Sequence, residues 1–157
     1  MAEIKRIAKL FADLQHGDCW IGVNFKDELY DADAALAVKT LTSHSNSIWQ
    51  LVFHIIYWRT VAVNRLNGSL TLPPFTDFAL PDELNEENWK QALVDFESAY
   101  HLLRNTILQF KTEDLDKASP KPGQTYYQLI MGCLQHDAYH LGQIVLLKKA
   151  LDKKLVL

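Results

Sequence analysis

Four stretches of this chain repeat their apolar residues at intervals of three and four, and none alternates them at intervals of two between turn signals, so the pattern confines the chain to helices. From residue 3 to about 16 the stripe is Ile4, Ile7, Ala8, Phe11 and Leu14, interrupted by Gly17-Asp18. A second start comes at Asn24, with Phe25, Leu29, Ala32 and Leu36 in register. Asp31 and Asp33 break it, so residues 18 to 45 are expected to be helical in part only. Ser47-Ile48-Trp49-Gln50 has the S-x-x-Q form of a capping box, which predicts a helix from 48 to about 66 that stops at Gly68. Asn85 can cap a helix from Glu86 to about Phe110, striped by Trp89, Leu93, Phe96, Tyr100, Leu103 and Ile107. Thr125-Tyr126-Tyr127-Gln128 is a second capping box and opens a last helix from about 126 to 151.

The connections are unusual for such a chain. Residues 68 to 84 hold Gly68, Pro73, Pro74 and Pro81, and residues 111 to 124 hold Pro120, Pro122 and Gly123. Loops of about four residues are typical of bundles, so a crossover or a functional lid is expected of the first. The economical fold is all-α, a bundle of four main helices with long inter-helix connections, and a length of 157 residues fits one domain over 1–157.

Composition excludes several functions. Hydrophobic residues at 48% and charged residues at 22% are near the averages of soluble domains. A net charge of -3 argues against non-specific nucleic-acid binding, which needs a basic face. The nearest basic groups, Lys148-Lys149 and Lys153-Lys154, read as solvation of a helix end, helped by the negative end of its dipole. No apolar run reaches the roughly 18 residues of a membrane span. The Met-Ala-Glu-Ile-Lys-Arg start does not resemble a secretory signal, and two cysteines without CxxC spacing fit a reducing compartment, so the expected location is cytoplasmic.

Chemistry is suggested by histidines where an apolar core is expected. His136 and His140 are one turn apart on the face of the last helix that contains Leu129, Cys133, Gln143 and Leu147. His54 occupies the matching face of the second long helix, with Ser47, Leu51, Trp58, Val61 and Arg65, and with Gln50 near its edge. Buried imidazoles need partners, and one divalent cation shared by the three supplies them. Three neutral ligands leave the ion its charge and at least one open position, where a water becomes acidic or a thiol becomes a thiolate. Nitrogen ligands suit zinc, nickel, copper or iron, with zinc or nickel expected. Gln50, Trp58 and Gln143 are candidates for supporting the ligands or touching substrate. His101 falls off its stripe beside Glu97, and His16 and His44 sit at or beyond helix ends, so all three read as surface residues.

Two further residues invite a chemical reading. His136-Asp137-Ala138-Tyr139-His140 is similar to the HExxH helix of zinc proteases with Asp for Glu. Asp is a methylene too short for that general base, and no Glu or His follows position 140. Cys133 could serve as a fourth ligand or a reactive thiol, but small buried packing is the expectation. A carboxylate-rich di-iron bundle is set aside, because no inward Glu-x-x-His pair occurs.

Residues 47–58 (SIWQLVFHIIYW), then Arg65-Leu66-Asn67-Gly68, and above all residues 136–144 (HDAYHLGQI) resemble the DinB/YfiT-like superfamily, from Trp20-Ile21-Gly22 to about Leu151. The resemblance implies a four-helix bundle, often homodimeric, with a metal held by one histidine of the second helix and two of the last, at His54, His136 and His140. It also implies a small-molecule substrate and one of two activities, transfer or isomerisation with a low-molecular-weight thiol, or metal-dependent hydrolysis. The rival expectation is a non-catalytic, metal-stabilised bundle that acts through partners or oligomerisation, using residues such as Trp20, Trp49, Trp58 and Trp89.

Overall fold

The computed structural model describes residues 2–151, so the Lys153-Lys154 pair lies outside the described residues. Six α-helices follow in chain order: α1 (Glu3–His16), α2 (Phe25–Leu29), α3 (Ala34–Ala37), α4 (Ile48–Leu66), α5 (Glu86–Gln109) and α6 (Tyr126–Leu151). Among the described residues there is no strand, only an isolated bridge between Ala118 and Thr125. The four long helices pack as the bundle that the stripes predict, with α4 against both α5 and α6, and α1 against α5 and α6.

Local chemistry sets where each helix begins. Asn24 and Asp33 accept from the Asp27 and Leu36 amides, so the region between α1 and α4 becomes two short helices rather than one. Ser47 and Gln50 close the reciprocal capping box of α4, and Thr125 and Gln128 do the same for α6. Past α4, Gly68 takes φ +80°, and the Ser69 amide returns to the Asn64 carbonyl, a stop that an L side chain would strain.

The core has two lobes. One packs α2 and α3 against the first half of α4, the first half of α5 and the last turns of α6, around the Trp49–Trp89 pair with ring centroids 5.2 Å apart. The other packs α1 against the opposite ends of α4, α5 and α6. Of the four tryptophans, Trp49 and Trp89 are fully buried, Trp58 is half-buried, and Trp20 is fully exposed.

Lys148 departs from the solvated role expected of it. Its ammonium lies 3.1 Å from Glu28 and 3.5 Å from Asp31, tying the end of α6 to α2 and the turn after it. No helix among the described residues is long and apolar enough to cross a membrane.

Candidate metal centre

Helices α4 and α6 run antiparallel, since His54 packs against His140, Trp58 against His136, and Arg65 and Leu129 wall one cavity. That register gathers the three expected histidines. Their ring nitrogens lie within 4.8 Å of one another, and His136 Nε2 is 3.1 Å from both His54 Nε2 and His140 Nε2. Two nitrogens at that spacing subtend about 95–100° at an ion bound at roughly 2.0–2.1 Å, between octahedral and tetrahedral angles.

Hydrogen bonds at the far side of two of the rings, His54 and His140, decide which of their nitrogens faces the centre. His54 Nδ1 donates to Asp77 Oδ1 at 2.7 Å, and His140 Nδ1 donates to Gln143 Oε1 at 2.6 Å. Both Nε2 atoms therefore aim lone pairs at His136. A proton on His136 Nε2 could serve one of them and would leave the other bare. It would also leave His136 Nδ1 facing Asp137 Oδ1 at 3.6 Å, two buried atoms with no hydrogen-bond partner. With the proton on Nδ1, the N–H faces the carboxylate across 3.6 Å, beyond hydrogen-bond length, and three lone pairs converge on one point. A cation is what satisfies that arrangement, so the residues present fit a divalent metal.

Burial shapes the titration of two of these rings. It is the largest influence pulling His54 below the usual imidazole pKa, against the opposing bond and charge of Asp77. His140 is lowered to about 4, again mainly by burial. His140 is therefore neutral well into the acid range, as metal coordination requires, and His54 is shifted in the same direction.

The long connection after α4 completes the site from outside. Asp77 accepts from His54 through one oxygen and from Trp58 Nε1 through the other at 3.2 Å. Next to it Phe78 stacks on the His54 ring, with centroids 3.9 Å apart and planes 12° apart. Phe78 holds φ at 58°, the left-handed region that a bulky residue enters at a cost of about 1–2 kcal/mol. Adjacent residues of the connection thus meet one imidazole at its Nδ1 edge and on one face.

Beneath the triad lies a buried ion pair. Arg59 Nε donates to Asp137 Oδ2 at 2.8 Å, with side chains 2% and 0% exposed. The other guanidinium nitrogens donate to Gln15 Oε1 and the Phe96 carbonyl, and the Phe96 ring centroid is 4.3 Å from Cζ. Asp137 is thus fully buried between Arg59 and His136 and cannot reach a substrate, which removes the protease-like role for it.

The remaining candidates separate by position. Trp58 and Gln143 belong to the site through Asp77 and His140. Gln50 is occupied in the α4 cap, where its oxygen accepts from the Ser47 amide, and the structure brings it to no ring of the triad. Cys133 is buried outside the convergent group, and burial raises its thiol pKa well above normal. His16, His44 and His101 are exposed, His101 pairing with Glu97 at 3.2 Å. Asp77, Phe78 and Arg59 were missed. Arg59 carried a signal, a charge in the interior of an apolar helix that also required a buried partner, and Asp137 carried the same one. Asp77 carried none, because no helical period relates a loop residue to a helix face.

A sequence model described as the DinB superfamily matches residues 24–144, which contain the three histidines and the residues that hydrogen-bond to them. No curated protein and no solved structure matches the chain.

Proposed function

We propose that this chain, which belongs to the DinB superfamily, is a metal-dependent enzyme acting on a small electrophile, with His54, His136 and His140 as the ligands of one divalent cation, zinc or nickel. Bound there, such an ion supplies a Lewis acid that acidifies water or a low-molecular-weight thiol for attack, as in a hydrolase or a thiol S-transferase. The observation that carries the reading is the pair of outer hydrogen bonds of His54 and His140, which turn their Nε2 atoms toward His136 Nε2, 3.1 Å from each.

Each supporting residue has a definable task. Asp77 fixes the His54 tautomer and makes its inner nitrogen more basic, while Trp58 holds Asp77 by its second oxygen. Gln143 does for His140 what Asp77 does for His54, without the charge, and is itself held by the Tyr139 hydroxyl. Asp137 offers Oδ1 to His136 Nδ1 while Arg59 anchors its other oxygen. Three ligands, without a fourth among the described residues, support chemistry over a structural ion, because structural zinc is closed by four. Cys133, raised by burial, supplies neither the fourth ligand nor the nucleophile.

Elemental analysis of untagged protein tests the ligand set. About one equivalent of metal is expected after dialysis, and under a tenth of that in the His54→Ala/His136→Ala/His140→Ala variant. Undiminished metal in that variant overturns the reading. Titration with a panel of small thiols then separates a transferase, which binds one at the ion, from a hydrolase. A homodimer belongs to the same proposal, and sedimentation at micromolar concentration checks it, a monomer counting against it.

A further inference from the structure

Beside the triad, α4 and α6 enclose an open-mouthed cavity of about 140 Å³. By their places along the helices, His136 lies at one end and Arg65 and Gln124 at the other, with Trp58, Val61 and Leu129 as apolar wall between them. Three features of this cavity have no explanation in the fold. Arg65 is half-buried, yet its guanidinium has no hydrogen-bond or ion-pair partner among the described residues. Gln124 Oε1 is buried without a partner. Gly132 lines the same space in the middle of α6, where a glycine disfavours the helix, although a Cβ added there would meet nothing within 4 Å.

A half-buried arginine without an anion and a buried amide oxygen without a partner are both incomplete until a ligand arrives. The missing side chain at Gly132 keeps open a volume that packing does not require to be open. We propose that this cavity is a binding pocket for a small organic carboxylate with a benzene-sized apolar body. Its carboxylate pairs with Arg65 and accepts one hydrogen bond from the Gln124 amide nitrogen, which takes the place of the unpartnered oxygen when the amide is turned over. The body lies on Trp58 and points its far end at His136. The size follows from the volume, since an apolar cavity of about 150 Å³ accommodates benzene. Arg65 is seven residues beyond Trp58, about 10 Å along the axis, so the charged end is held a molecule's length from the triad. What becomes of the bound molecule rests on the metal-centre reading, but its binding does not.

Benzoate and its neutral isostere benzamide, titrated calorimetrically into the full chain both zinc-loaded and chelator-treated, test the pocket. Benzoate is expected to bind both forms, more tightly than benzamide. Arg65→Gln is expected to weaken benzoate at least tenfold and to leave benzamide unchanged. Gly132→Leu is expected to fold, with a melting temperature at or above that of the wild type, and to lose both ligands. The proposal is overturned if benzoate binds only the zinc-loaded form and ignores Arg65→Gln, the mark of a carboxylate that simply ligates the ion. It is equally overturned if the wild type binds no benzoate at millimolar concentration, or if Gly132→Leu binds it as well as the wild type. Failure of zinc to bind would sink the catalytic reading alone, because the chelated titration still decides the pocket.

Discussion

Replacing Asp137 by alanine removes the one anion that faces the Arg59 guanidinium at the centre of the bundle. The arginine cannot escape to water, since its side chain is 2% exposed and is held between Gln15, the Phe96 carbonyl and the Phe96 ring. Its two remaining acceptors are neutral. An uncompensated buried charge of this kind costs about 3–5 kcal/mol. For a chain of this size each kcal/mol moves the melting temperature by roughly 2–4 °C, so a drop of about 6–20 °C is expected. Denaturant unfolding followed by far-ultraviolet circular dichroism, on chelator-treated protein at neutral pH, measures the loss without a contribution from metal. The double variant Arg59→Met/Asp137→Leu removes both charges and fills the space with apolar atoms. It is expected to be more stable than Asp137→Ala and to lose less than the sum of the losses in Arg59→Met and Asp137→Leu alone, a non-additivity that reports the pairing itself. A loss under about 1 kcal/mol in Asp137→Ala, or strictly additive losses in the double variant, would refute the account of this ion pair.

Other expectations bear on the site. Asp77→Ala should weaken metal binding by about 10- to 100-fold in a competition titration and leave the unfolding midpoint of the metal-free protein nearly unchanged, because Asp77 sits on a half-exposed connection. An unaltered affinity would mean that Asp77 does not support His54. Cys133→Ala should retain a full equivalent of metal by elemental analysis, and loss of the ion would make Cys133 a ligand after all. The pH dependence of the metal-free fold follows from the lowered imidazoles. Between pH about 4, where His140 titrates when folded, and the ordinary value of 6.5, the unfolded chain binds a proton that the folded chain does not. Stability should therefore be complete above that window and decline as the pH falls through it, with His54 acting in the same direction. A His140→Gln variant with the same acid decline as the wild type would contradict this.

The helices were legible because their signals are local. Capping boxes at Ser47 and Thr125, the glycine at 68 and the three-and-four stripes each act within one turn, and each element begins and ends where those residues require. The triad was legible for a related reason, since an imidazole's place on a helix face follows from the period, and three inward faces in a small bundle have few ways to avoid one another. Gln50 shows the limit of face analysis. It lies near the correct face, but a residue in the first turn serves the helix end before it serves a neighbour. Asp77 and Phe78 show another, because the path of a long, proline-containing connection is fixed by contacts that exist only after folding. Lys148 shows the same for charge, its partners Glu28 and Asp31 being remote in sequence.

The central claim is that three Nε2 atoms share one ion. Diffraction from zinc-loaded crystals, recorded on both sides of the zinc absorption edge, tests it most directly. The account predicts a single strong anomalous peak about 2.0–2.1 Å from Nε2 of His54, His136 and His140, with no fourth protein ligand. A peak elsewhere, or one that His54 does not touch, would contradict it.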